Sequence, residues 1–417
     1  MDELSQLFGA YDRGTLSRRQ LFQALGLAAV ASTPFARRAL AQGRCAGRDA
    51  DTTAACNHTP MKAPFAPTGW KTVLLDHFTC HVTDAEREAA YFAALMSWKV
   101  RSNDGQTIAM DIGDWGGVEF RSGYVPPARG AGRGGGGGGG GGRGRGGAPG
   151  DSAAGRGRAA APAGGGNGGR EQYPACTTTP MERVPNSGAS WDGFAWGITP
   201  WDTKKVEAAL KERGLNPEPA HRGNDYQAFL IKDPDGMNLW VTNGNKQNRR
   251  RGAANGKLNV PAPFAPTGWQ TKFLDHISFG VSSYKETVAF YEALLGWKGT
   301  GDEGSQNETV ISPEIGGLLI RGGNQMTPGF TMPSPRAARM DHISFGVSPF
   351  DPDVIYAEMC KRGLNASVDT GSIASSPESE KNIHTATYKS FHTTTPNNFN
   401  LQFSSKISEA QSTGPKP

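Results

Sequence analysis

The apolar positions along residues 274–297 change period partway. In "LDHISFGV", Ile277, Phe279 and Val281 alternate with His276, Ser278 and Gly280, the period of two of a strand with one buried face. In the following "KETVAFYEALLGW", Val288, Tyr291, Leu294 and Leu295 fall at i, i+3, i+6 and i+7, one apolar stripe of a helix. Glycine-bounded runs such as "GGLLIRGG" and, earlier in the chain, "GGVEFRSG" predict further short strands. The pattern reads as a β-α-β-β-β unit.

The unit is written four times. "APFAPTGWKTVLLDHFTCHVTDAEREAAYFAALMSWK" (Ala63 to Lys99) aligns without a gap onto Ala262 to Lys298, with 18 of 37 positions identical. "WDGFAWGITPWD" (Trp191 to Asp202) lies over "MDHISFGVSPFD" (Met340 to Asp351), and "RGLN" recurs at Arg213 and Arg362. The heptapeptide "DHISFGV" itself appears at Asp275 and again at Asp341. These alignments predict units near 70–125, 190–245, 269–325 and 340–405, paired into two tandem modules of α+β class. The expected boundaries are 63–245 for module 1 and 262–405 for module 2. An N-terminal segment 42–62, a polar linker 246–261 and a tail 406–417 complete the chain.

Composition refines this picture at two places. Of 57 glycines, 22 lie between Arg129 and Arg170, together with seven arginines and one acid. Polyglycine buries nothing and is expensive to order, so 128–170 reads as a disordered loop inserted in module 1. Without that tract and residues 1–41, the formal charge of +5 becomes about −3. No aromatics interleave the tract, and nucleic acid is not an expected partner.

"LSRRQLFQALGLAAVASTPFARRALAQ" resembles a bacterial twin-arginine signal, with Arg18 and Arg19 ahead of an Ala-rich stretch and "ALA" ending at Ala41. Residues 1–41 are expected to be removed on export to the periplasm or outside the cell. No membrane span is expected afterwards. The five cysteines follow no metal-finger spacing, and Cys45 and Cys56 are close enough in sequence for a local disulfide.

"DHISFGV…YKETVAFYEALLGW", the second "DHISFGV", and "DPDGMNLWV" (Asp233 to Val241) resemble the vicinal oxygen chelate superfamily, which includes glyoxalase I, bleomycin-resistance proteins and extradiol dioxygenases. The resemblance implies paired βαβββ units around one metal or ligand site per module. It takes ligands from the first strand of each unit and from last strands. In module 2 these positions are His276, His342 and Gln402, with Leu319, or Ile320 on a shifted register, at the fourth. In module 1 they are His77 and Glu119, with Gly193 and Trp240 at places that bind no metal; His81, two strand steps on, is a further nitrogen.

Two histidines and a carboxylate with open positions suit Fe2+, Mn2+ or Zn2+; two histidines and a glutamine are a poorer set, because glutamine is neutral and gives one carbonyl oxygen where glutamate is usual. His384 and His392, expected on the strands before Gln402, are candidate extra ligands or acid/base residues. Asp275 and Asp341 are expected on the opposite strand face, in turns or interface contacts. Trp70, Trp98, Trp269 and Trp297 read as core. Trp191, Trp196, Trp201 and Trp240 read as an aromatic pocket lining in module 1.

The functional expectation is an exported, metal-dependent enzyme, dioxygenase-like or lyase/isomerase-like. It would act from module 2 on a small molecule with vicinal oxygens, as a monomer or homodimer. The alternative is a non-catalytic small-molecule binding protein of bleomycin-resistance type.

Overall fold

The computed structural model describes residues 58–125, 172–185, 188–223, 225–250, 254–302, 304, 307–312, 315–322, 338–372 and 376–408. The signal-like segment 1–41, Cys45, Cys56 and the glycine-arginine tract lie outside the described residues.

The first unit contains β1 (Lys71–Val82), α1 (Ala85–Met96), β2 (Lys99–Asn103), β3 (Thr107–Ile112) and β4 (Gly116–Arg121). The second contains β5 (Ala189–Thr199), α2 (Thr203–Glu212), β6 (Glu218–Pro219), β7 (Ala228–Lys232) and β8 (Asn238–Thr242). A short helix, α3 (Lys246–Arg250), leads toward the third unit: β9 (Gln270–Val281), α4 (Tyr284–Leu295), β10 (Lys298–Thr300), β11 (Asn307–Ser312) and β12 (Gly316–Gly322). The fourth is β13 (Arg339–Ser348), α5 (Pro352–Lys361), β14 (Ser367–Asp369), α6 (Glu378–Lys381), β15 (Ser390–Thr394) and β16 (Asn400–Ser404). Asp84, Asp202 and Asp351 cap α1, α2 and α5 by accepting backbone N–H bonds with their side chains, which explains where those helices begin.

Two eight-stranded mixed sheets result, in the orders β2-β3-β4-β1-β5-β8-β7-β6 and β10-β11-β12-β9-β13-β16-β15-β14. In each sheet the first strands of paired units run antiparallel at the centre, and each pairs in parallel with the last strand of its own unit. The expected α+β architecture of four βαβββ units in two tandem modules is therefore present.

Each central pairing is broken by a bulge at the Asp of an Asp-His or Asp-Gly step. Ser344 pairs with His276 and Phe345 with Leu274, leaving Asp275 as the extra residue; Asp341 is extra in the same way, between Met340 and His342. Asp76 and Asp192 are the extra residues in module 1. Strict alternation would send Asp275 and Asp341 to the face opposite their histidines. A bulge inserts one residue and turns both side chains toward the same region, so the expected turn or interface placement is corrected.

The repeated "APFAPTGW" is explained by the way the two modules grip each other. Thr68 N donates to Ala293 O at 2.9 Å and Thr267 N to Ala94 O at 3.1 Å, each lead segment holding the other module's helix. Trp98 Nε1 donates to Thr271 Oγ1 (2.9 Å) and Trp297 Nε1 to Thr72 Oγ1 (2.6 Å). Trp70, Trp98, Trp269 and Trp297 are all buried. One continuous apolar core runs between the sheets, with Trp98 against Phe345 and Trp196 against Trp297.

Residues 172–185, which precede unit two in sequence, lie along unit four. Cys176 is disulfide-bonded to Cys360 on α5, Tyr173 stacks on Tyr356 at 4.2 Å, and Met181 N donates to Gly363 O. A side chain at Gly363 would sit 2.2 Å from Thr179 O, so this close approach requires glycine.

Candidate functional site

In module 2 the polar face of the sheet gathers the expected residues. His276, Ser344 and Gln402 stand side by side across β9, β13 and β16, and His392 on β15 faces Gln402. Leu319 pairs with Ser278 on this face, while Ile320 is fully buried in the core, which settles the register at the fourth position.

The Nε2 atoms of His276 and His342 are 3.1 Å apart. His342 Nδ1 lies 2.7 Å from Asp341 Oδ2, and His276 Nδ1 lies 3.4 Å from Asp275 Oδ1. A carboxylate on Nδ1 fixes the proton there and leaves Nε2 as a lone pair. Burial, together with the neighbouring His276 and His392, lowers the His342 pKa to about 4, against the pull of Asp341. The imidazole is therefore neutral at pH 7. Two lone pairs facing one another at this distance repel unless a proton or a cation lies between them.

Asp275 is the hub beneath them. Its Oδ2 accepts from Ser344 Oγ (2.9 Å), Tyr388 OH (2.7 Å) and Ser404 Oγ (2.7 Å), and Lys406 Nζ is 3.5 Å from Oδ1. Burial works against its charge, but His276, Lys406 and Tyr388 outweigh it and hold the carboxyl well below the usual range. Sequence reading missed this network because the bulge that creates it carries no local signature. His392 lies 5.0 Å from His342, ring to ring, with Nε2 3.2 Å from Asp369 Oδ2 and Nδ1 3.1 Å from Asn400 Oδ1.

His384 does not join the group. It sits in a turn rather than on a strand, 3.8 Å from Asp353 and against Tyr173, on the outer side where residues 172–185 cross. Its expected role beside Gln402 is corrected.

The fit of this face to a divalent cation can be read from its donors. Among the described residues, no group of three or more His, Cys, Asp or Glu is gathered for a metal. The third donor here is an amide oxygen: Gln402 Oε1 is buried and has no hydrogen-bond partner. Two imidazole nitrogens 3.1 Å apart, with an unpaired carbonyl oxygen carried by a strand of the same face, are donor types that suit a borderline divalent ion.

Module 1 answers the same positions differently. His77 Nδ1 is 2.8 Å from Asp76 Oδ1, and its Nε2 is 3.8 Å from Glu119 Oε1. Glu119 is already engaged: Arg222 donates to both of its oxygens and Arg121 Nη2 to Oε2 at 3.2 Å. Burial would raise its pKa, yet His77 and the two guanidiniums keep it well below the usual range. His81 faces Asp192 at 3.9 Å instead of joining His77. At Gly193 a Cβ would lie 2.1 Å from Asn238 O, so no side chain fits where the second histidine would stand. These residues do not fit a metal: a guanidinium already supplies the cation.

The expected aromatic lining of module 1 is also corrected. Trp196 is buried against Trp297, Trp191 packs on Phe78 and Phe399, and Trp201 stacks on Phe229. Trp240 is the member of the set beside the site, its ring 6.1 Å from His77.

No protein-family model matches the sequence, and no curated protein matches it. Among solved structures, homoprotocatechuate 2,3-dioxygenase of Brevibacterium fuscum aligns at 14% identity over 82% of this chain and 73% of its own, with a TM-score of 0.46. A Mn(II)-bound glyoxalase from Novosphingobium aromaticivorans aligns at 12% identity over 81% and 84%, also at 0.46. Both are likenesses of chain path at low identity, and neither carries an activity across. The paired βαβββ units, with first strands side by side at the centre of each sheet, are the arrangement that the sequence resemblance to the vicinal oxygen chelate superfamily implies.

Proposed function

We propose that module 2 is the active half of an enzyme and that its polar face binds a divalent cation through His276 Nε2, His342 Nε2 and Gln402 Oε1. The observation that carries this reading is the 3.1 Å approach of two imidazole nitrogens whose other ring nitrogens are held by carboxylates. When bound, a divalent ion there would polarise adjacent oxygens of a substrate as a Lewis acid. Gln402 brings no negative charge where a glutamate is usual, so a ligand offering one or two anionic oxygens complements the set best. That points to a small molecule with vicinal oxygens.

The chain's own residues supply the rest. Asp275 and Asp341 hold the histidine rings in one tautomer. His392 holds a proton at Nε2 against Asp369, beside His342, and is placed to exchange it with a bound substrate. The twin-arginine pattern supports export, and a disulfide between Cys176 and Cys360 suits an oxidising compartment.

The test is the metal content of the full chain purified from supplemented medium, followed by titration calorimetry. One equivalent is expected, lost in His276→Ala and in His342→Ala and kept in His77→Ala. A wild-type chain that takes up no transition metal overturns the proposal. It would favour the non-catalytic binding role.

A further inference from the structure

We infer that Tyr388 and Ser390 are positioning residues that require a carboxamide, and exclude a carboxylate, at position 402. The inference rests on the reading of module 2 as a metal site and concerns why its last-strand donor is glutamine.

The direction of each hydrogen bond can be followed outward from groups whose role is fixed. The Asp275 carboxylate only accepts, so the Tyr388 hydroxyl spends its proton on Oδ2 at 2.7 Å. The Asp369 backbone carbonyl also only accepts, and Ser390 Oγ donates to it at 2.7 Å. Both hydroxyls therefore turn lone pairs toward residue 402. Gln402 meets them with its amide: Nε2 donates to Ser390 Oγ at 2.7 Å and to Tyr388 OH at 3.2 Å. With both N–H bonds so directed, Oε1 must point elsewhere, and it is left buried with no partner. The amide orientation is thus set by partners two steps removed from it.

A glutamate in this place would present acceptors to two lone pairs. To accept it, a hydroxyl would have to withdraw its proton from Asp275 or from the Asp369 carbonyl, leaving that group short of a partner. Module 1 offers an internal comparison. By strand register Trp240 and Ala228 occupy the places of Gln402 and Ser390. Where the amide is absent, so is the serine.

Charge alone predicts the opposite result, because a carboxylate beside a divalent ion ordinarily tightens binding. The experiment compares wild type, Gln402→Glu, and the triple variant Gln402→Glu/Tyr388→Phe/Ser390→Ala in the full chain. Binding of Mn2+ and of Zn2+ is measured by titration calorimetry, and thermal melting is measured without metal. Gln402→Glu is expected to weaken binding at least about tenfold and to lower the metal-free melting temperature, with both restored by the triple variant. Equal or tighter binding by Gln402→Glu overturns the inference and leaves the metal reading intact. If wild type binds neither metal, the metal reading fails and the melting series decides alone: a drop restored in the triple variant supports the inference, and an unchanged melting temperature overturns it.

Discussion

The two polar faces of this chain start from the same strands and reach opposite solutions. In module 2 two imidazole nitrogens approach to 3.1 Å on the face that also carries Gln402. In module 1 a histidine and a glutamate converge, and the positive charge comes from Arg222 and Arg121. The core between the modules has meanwhile kept its symmetry almost contact for contact. Sites diverge more freely than interfaces, because an interface residue answers to many neighbours and a site residue to few.

The sharpest way to break the comparison is the distribution of metal. His342→Ala is expected to abolish binding and His77→Ala to leave it unchanged; equal loss in both would make the two faces equivalent. Next in size is Gly193. Because a Cβ there would strike the Asn238 backbone, Gly193→Ala is expected to destabilise by on the order of 3 kcal/mol in denaturant unfolding. A neutral result would mean that module 1 lacks its second histidine for reasons other than space.

Glu119→Gln tests the internal ion pairs. It leaves two arginines without their buried carboxylate and is expected to cost about 1–3 kcal/mol, towards the lower end because Arg222 is half exposed. Should Glu119→Gln prove neutral, the guanidiniums would not be standing in for a cation.

The smallest effect per step probes the symmetric interface. Glu88 of α1 is buried against the Asn397 turn of module 2, and Asp233 of module 1 is buried against Tyr291 of α4. Burial lifts each carboxyl to about 7. A raised folded-state pKa means that the native protein binds this proton more tightly than the unfolded chain does. The stabilisation is fully present below about pH 4 and is lost as pH rises toward 7. Each group should lower stability by up to about 1.4 kcal/mol per pH unit across that window. Glu88→Gln should flatten its share of the slope in melting experiments between pH 5 and 8, whereas an unchanged slope would show that Glu88 titrates normally.

Much of this was readable in one dimension. The period-two and period-3.6 patterns gave the units, and self-alignment gave their number. The unit-level resemblance points to His276, His342 and Gln402, and strand register sets them on one face of the sheet. What failed were assignments depending on which way a residue turns or what crosses it. Alternation sends Asp275 and Asp341 to the opposite face, and the bulges overrule it. The order of elements predicts a strand at His384, which lies in a turn against Tyr173. Trp191, Trp196 and Trp201 looked like a lining and went to the core and the module interface, since spacing alone cannot say which neighbour will bury a ring.

The sequence by itself determined the repeat and the fold of each unit, because hydrophobic period is a local property of a chain. The tertiary structure alone decided that Arg222 would reach Glu119 across 103 residues. It also decided that residues 172–185 would be fastened to the other module, and that two hydroxyls would set the amide of Gln402. Those outcomes depend on partners brought together by packing, and no pattern along the chain encodes the direction in which a proton is shared.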